Sequence, residues 1–253
     1  MAPHAPQRSE RPGEAGAPLE FGLPDVHALL AVLQLADGLF PAGGFAHSLG
    51  LETYTQDGRV RDATGLAAFI AATLDGSAGP CDAAAAALAA RRASAGDLAA
   101  LLALDARLEA MKPVPETRAA SRQMGRQTLR VSAALRSEGV VAELARAVTE
   151  GRAAGHHAVA FGAALGTEGA EASTVATAYL HATASMLVGA GVRLLALGQL
   201  DGQRVLASMR PRIERLAAAA ARAGTADDLW SFTPSLEIAG VRHATLDARL
   251  FRS

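Results

Sequence analysis

The chain has 253 residues, half of them apolar, a net charge of −1 and a single cysteine, Cys81. The apolar share can fill a sizeable core, the near-zero charge sets up no field that would gather nucleic acid or a membrane surface, and one cysteine excludes an intramolecular disulfide. Lys112 is the only lysine, and no glycine-rich turn ends in Lys-Ser or Lys-Thr, which excludes a phosphate-binding loop.

Aromatic residues make up 4% of the chain, and Ala and Leu dominate it. Strong helix formers in such excess, with few strand-favouring residues, predict an all-α fold. Residues 1–22 hold Pro3, Pro6, Pro12 and Pro18 among charged and small residues and predict a disordered leader. The remainder, 23–253, predicts one helical-bundle-like domain of about ten helices.

Asp25 can cap a first helix carrying Val26, Leu29, Leu30 and Leu33 at helical spacing. Pro41-Ala42-Gly43-Gly44 then predicts a loop. A second helix is expected over Ala46–Gln56, and a third over Ala63–Leu74 capped by Asp62. Gly76–Pro80 reads as a turn before an antiparallel pair, Asp82–Arg92 and Asp97–Met111. Pro113 and Pro115 close that pair.

Glu116–Leu135 follows as a helix. Its Arg118, Arg122, Arg126 and Arg130 recur every four residues and form a ridge. That ridge reads either as a solvated face or as a docking edge for carboxylates. Beside it Ser121, Gly125 and Ser132 form a low strip that another backbone can approach. Val140–Glu150 and His156–Leu165 predict shorter helices. Ser173–Leu197 is the longest and apolar almost all round, hence central, with Gly189 and Gly191 allowing a tight crossing. Its longest uninterrupted small-and-apolar run, Ala182–Val192, is too short to span a bilayer. Gln203–Arg222 predicts a helix kinked at Pro211, and Ser235 can cap a final one. A soluble, cytoplasmic protein is the expectation.

Catalytic constellations are not legible. His156 and His157 are adjacent, so on a helix they point about 100° apart and cannot share a metal as an i, i+4 pair does. His27, His47, His181 and His243 stand alone in sequence, which suits hydrogen-bonded structural histidines better than ligands. No metal site is therefore assigned. His47-Ser48 lacks the Gly-x-Ser-x-Gly context of a nucleophile elbow. The arginine ridge has no interleaved aromatics, which argues against nucleic acid. Phe232–Ser253 ends the sequence dense in apolar and chargeable groups, where chain ends usually fray. It is expected to dock, on its own core or on a partner.

Five segments resemble, in order, the urease accessory protein F (UreF) family: Leu33–Glu52 (LQLADGLFPAGGFAHSLGLE), Glu116–Arg130 (ETRAASRQMGRQTLR), His157–Gly166, Gly198–Leu206 (GQLDGQRVL) and Phe232–Ser253 (FTPSLEIAGVRHATLDARLFRS). The resemblance implies an all-helical, non-catalytic scaffold that tends to form homodimers. Such a scaffold binds accessory protein D (also called H), recruits the GTPase G and serves nickel delivery to the urease apoprotein, with modulation of the GTPase a suggested role. It implies no stably bound cofactor, nickel(II) being handled by the complex. By position it implies partner contacts at Arg122, Arg126, His243, Arg249 and Phe251, with Arg249 foremost. Glu52 and Tyr54 would form a patch toward the GTPase. Gln199, Asp201 and Gln203 would line a nickel passage, unless they form a simple inter-helix turn. Ala46 and His47 fill a variable part of the family loop. From a different class, a helical enzyme with an unrecognised cofactor site is the competing reading.

Overall fold

The computed structural model describes residues 25–253, so the leader expected over 1–22 lies outside the described residues. Among the described residues the regular structure is helical, with no strand. The α-helices are α1 (Val26–Ala36), α2 (Leu51–Gln56), α3 (Ala63–Thr73), α4 (Ala84–Ser94), α5 (Leu98–Met111), α6 (Pro115–Leu135), α7 (Val140–Thr149), α8 (His157–Thr167), α9 (Ala172–Leu194), α10 (Gln199–Ser208), α11 (Arg210–Ala220) and α12 (Pro234–His243). Asp25 and Asp62 cap as expected, accepting from the His27 N–H at 3.0 Å and from Gly65 at 2.8 Å. Asp97, expected as the first residue of its helix, caps it instead, accepting from Ala100 at 2.9 Å.

With few aromatics to fill space, the helices instead approach closely. The alanine run from Ala84 to Ala90 on α4, with Leu88, is buried throughout. It crosses α8, where Gly162 and Gly166 face the Ala86 and Ala90 carbonyls so closely that a Cβ at either would overlap the oxygen. The strip on α6 works the same way. A Cβ on Gly125 would collide with the Gly155 carbonyl, so the start of α8 is what occupies it. Asp105, 1% exposed, holds that start by accepting from Ala154 at 2.7 Å, Gly155 at 3.1 Å and His156 at 2.7 Å. α9 runs through the middle. It is long and apolar enough, by length and composition, to cross a membrane, and 56% of its apolar window is buried inside the fold. Gly191 packs against Leu66, whereas Gly189 faces open space.

Four local expectations are corrected. Gly76–Pro80 is no turn: α3 passes into α4 through a π-helical stretch, Leu74–Ala83. Pro80 has no N–H for the Gly76 carbonyl four residues back, and Phe232 N–H supplies it at 2.8 Å instead. That crossing needs Gly76, because a Cβ there would lie 2.6 Å from Thr233 Cγ2. The second helix begins at Leu51, preceded by a short 3-10 turn, Gly44–Ala46. The expected kink at Pro211 is a break at Met209 between α10 and α11. Ser235 does not cap α12, whose N-cap is Thr233 with Pro234 at the first position.

Gly162→Ala is expected to lower stability by about 1–3 kcal/mol through overpacking. Gly189→Ala, facing open space, is expected to raise it by up to about 1 kcal/mol. Urea midpoints of the two variants check the pair.

Candidate interaction site

The C-terminal segment docks on its own chain. Glu52 on α2 is 2% exposed and is the centre of that dock. Its Oε1 accepts from the Leu250 N–H at 2.6 Å. Its Oε2 faces the Phe251 N–H and His243 Nε2, each at 3.0 Å. His243, fully buried, reaches Glu116 Oε2 through Nδ1 at 2.7 Å. Glu116 in turn pairs with Arg249 Nη1 at 3.0 Å. A carboxylate drawn into the interior needs several donors to offset lost hydration, and here the tail backbone provides two of them.

The last residues close the clasp. The Ser253 backbone oxygen accepts from the Ser48 and Leu49 N–H groups at 2.5 and 3.1 Å and from the Ser48 hydroxyl at 2.8 Å. Leu49 and Gly50 both have positive φ, 52° and 87°, an uncommon backbone for leucine that turns the two donors toward one acceptor. His47 Nδ1 meets the Ser253 hydroxyl at 2.9 Å. Arg193 of α9 completes the arrangement. Its guanidinium lies 3.7 Å from the Phe45 ring centroid and 4.3 Å from that of Phe251, and donates to the Phe45 carbonyl at 2.8 Å. The clasp thus joins the Gly43–Phe45 loop, α2, α6, α9 and the tail.

This geometry revises how the sequence-selected residues can act. Glu52, His243 and Phe251 are buried in the isolated chain, where they hold the tail. Tyr54 is half-buried, edge-on to Phe69 at 5.1 Å with Arg59 over its ring, so it packs at home. Arg122 is engaged by Glu109 through Nε at 2.8 Å, and Glu109 also meets the buried His156 at 2.9 Å. Arg126 is exposed, and Arg249 is partly exposed on its ion pair. Gln199, Asp201 and Gln203 lie on α10. The two glutamines are exposed, and Asp201 pairs with Arg204 at 3.0 Å. None of the three lines the cavity beneath the Gly43–Phe45 loop. Around the tail the outward side is apolar: Phe45, Trp230, Phe232, Ile238, Val241 and Leu250 are all exposed. Spacing along the sequence could not reveal Ser48, Glu116 and Arg193 as clasp residues, since their partners lie more than a hundred residues away or on other helices.

Beneath the loop lies a cavity of about 300 Å³. Its polar lining includes Cys81, Asp82, Lys112, His157 and Tyr179. Lys112 donates to Asp82 at 2.7 Å. Burial works to lower the Lys112 ammonium, and the neighbouring Asp82 outweighs it, so its pKa is raised. Burial pushes the Cys81 thiol up to about 12 and the His157 ring down to about 4, and raises the Tyr179 hydroxyl. No group of three or more His, Cys, Asp or Glu side chains among the described residues is arranged to hold a metal ion.

Glu52→Ala is expected to cost about 3 kcal/mol or more of tail docking, because a buried histidine and two N–H groups lose their acceptor. Arg249→Ala, at a half-exposed pair, is expected to cost below about 1 kcal/mol. Limited trypsin cleavage at Arg249 and Arg252, followed by mass spectrometry, reads the difference for Glu52→Ala. An unfolded His157 takes its proton near pH 6.5, and the folded ring does not until about pH 4. The unfolded chain therefore binds the extra proton in that window, and stability falls as pH drops through it. His157→Gln should flatten this part of the stability–pH curve in urea titrations.

A family model described as UreF matches residues 60–210. The urease accessory protein UreF of Bacillus sp. (strain TB-90) is 32% identical over 228 residues, covering 90% of this chain and all of that protein. The UreF of Bradyrhizobium sp. (strain BTAi1 / ATCC BAA-1182) is 35% identical over 246 residues, covering 97% and 99%. That of Rhodopseudomonas palustris (strain HaA2) is 38% identical over 215 residues, covering 85% and 89%. With the all-α fold and these matches along most of its length, the chain belongs to the UreF family of urease accessory proteins.

Proposed function

We propose that this chain is a non-catalytic scaffold in nickel-urease maturation, and that its clasped C-terminal face is the surface that binds accessory protein D (or H). The pair then recruits the GTPase G, and the assembly delivers nickel(II) to the urease apoprotein. The observation that carries this reading is the two-sided tail. Its inner side is fixed by Glu52, His243 and Ser48, while Leu250, Ile238 and Val241 stay exposed on the outer side. An apolar surface on a rigid support suits a partner, because little conformational entropy is lost on binding.

In this scheme Glu52, His243 and Phe251 act indirectly, by presenting the face, and Arg249 and Arg126 stand at its charged surroundings. Tyr54 and Arg122 support α2 and α6. Gln199, Asp201 and Gln203 offer a polar surface on α10 to the GTPase side of the complex. A homodimer would use α1, where Val26, Leu30 and Leu33 are exposed along one stripe. Nickel(II) is cargo of the assembly, and a cytoplasmic setting agrees with an unpaired, buried cysteine.

Co-purification with accessory proteins D and G tests the reading. The full chain is expected to form the complex, and a chain truncated after Arg242 to lose it, with helical content retained by circular dichroism. Leu250→Glu should weaken capture of D at least tenfold. A complex insensitive to truncation would move the surface elsewhere, and no complex with well-folded partners would contradict the scaffold itself.

A further inference from the structure

The scaffold reading has no use for the half-open cavity beneath the Gly43–Phe45 loop. Elsewhere the interior is packed until glycine hydrogens touch carbonyls, as at Gly162 and Gly166. A space of about 300 Å³ in such a fold is well beyond what one water needs and matches small-molecule sites. The segment that walls it carries the π-helical stretch, through Ser77, Ala78, Cys81 and Asp82. Such stretches recur at functional sites.

The lining states what would fit. Tyr179 is 7% exposed, lines the cavity, and its hydroxyl makes no hydrogen bond with the described residues. The His157 ring, tilted against Tyr179 at 5.4 Å, also lines it and likewise has no side-chain partner among them. A phenol offers a donor, and a neutral imidazole offers both a donor and an acceptor. Beside Tyr179 and His157, Lys112 and Asp82 already neutralise each other at 2.7 Å, so a charged end seated there would find no unpaired opposite charge. Burying a net charge without one is costly. Asp37, Arg193 and Glu237, which form no ion pair among the described residues, line other parts of the cavity. Met124, Met186 and Phe161 supply the apolar wall. The two methionine sulfurs lie under Gly44, where flexible thioethers can mould to a guest.

We propose that this cavity is a binding site for an uncharged small molecule with a carboxamide-type end, which meets Tyr179 and His157, and an apolar body held by Met124, Met186 and Phe161. The carboxamide oxygen accepts from the Tyr179 hydroxyl, and its N–H group donates to the unprotonated nitrogen of His157. The cavity shares Phe45, Leu49 and Arg193 with the rim of the clasp, but Tyr179 and His157 take no part in the clasp's hydrogen bonds.

Three probes of one shape and different charge test it: benzamide, benzoate and benzylamine. They are titrated into the full chain labelled with 13C at methionine methyls, at pH 7. Benzamide is expected to shift the Met124 and Met186 methyl signals saturably, with benzoate and benzylamine at least tenfold weaker. Tyr179→Phe should weaken benzamide about tenfold, the worth of one buried hydrogen bond. Gly189→Leu fills the cavity from α9, since a Cβ there meets nothing within 4 Å, and should abolish binding while the fold is kept. The proposal is overturned if benzamide leaves both methyl signals unmoved in the native chain. It is overturned equally if a charged probe binds as well as benzamide, or if Gly189→Leu binds undiminished. No accessory protein is present, so none of these results bears on the scaffold reading.

Discussion

A carboxylate in a protein interior is tolerable only where donors surround it. Glu52 meets that condition by capturing the chain's own tail. Two backbone N–H groups and one histidine converge on it from residues 243–251. Without Glu52 the tail would have only its rim contacts, and without the tail the Glu52 carboxylate would lose all three of these donors. The mutual dependence makes the tail part of the fold while leaving its outer side apolar and free of intramolecular cover. Arg193 extends the same constraint to the Gly43–Phe45 loop by lying between Phe45 and Phe251.

The scaffold behind the clasp is rigid for a different reason. A chain with few aromatics cannot fill a core with large side chains, so its helices must come close. Gly162, Gly166 and Gly125 permit this against backbone carbonyls. Dense packing of this kind resists small displacements. The positions of α2, α6 and α9, which carry Glu52, Glu116 and Arg193, are therefore well determined in the isolated chain. The half-open cavity stands out against this packing, and its polar floor is assembled from the π-helical stretch, Lys112 just after α5, α8 and α9.

Much of the fold was legible in the sequence because it is written locally. Asp25, Asp62 and Asp97 each precede a helix they cap, and Pro113 and Pro115 mark the α5–α6 boundary. The apolar Ser173–Leu197 pattern gave the central helix, and the small strip on α6 announced a close approach without naming what approaches. The π-helical stretch was hidden because Gly76, Gly79 and Pro80 are turn residues by local rules. Only the 230–233 segment, packed across it and donating to Gly76 and Pro80 carbonyls, makes the helix continuous. The site was less legible for the same reason. Family motifs mark Glu52 and His243 for partner contact, and in the isolated chain they face each other across 191 positions. No pattern of spacing encodes a contact of that range. The apolar tail signalled docking correctly, but whether it met its own core or a partner depended on tertiary geometry.

The most direct test of the clasp is hydrogen exchange at the Leu250 and Phe251 amides in the isolated full chain. Both are bound to a buried carboxylate and are expected to exchange as slowly as amides in the middle of α4 and α8, within about tenfold. Exchange at the rate of an unstructured peptide would mean that the tail is not held by Glu52 in the free protein, and would contradict the account of how the docking face is presented.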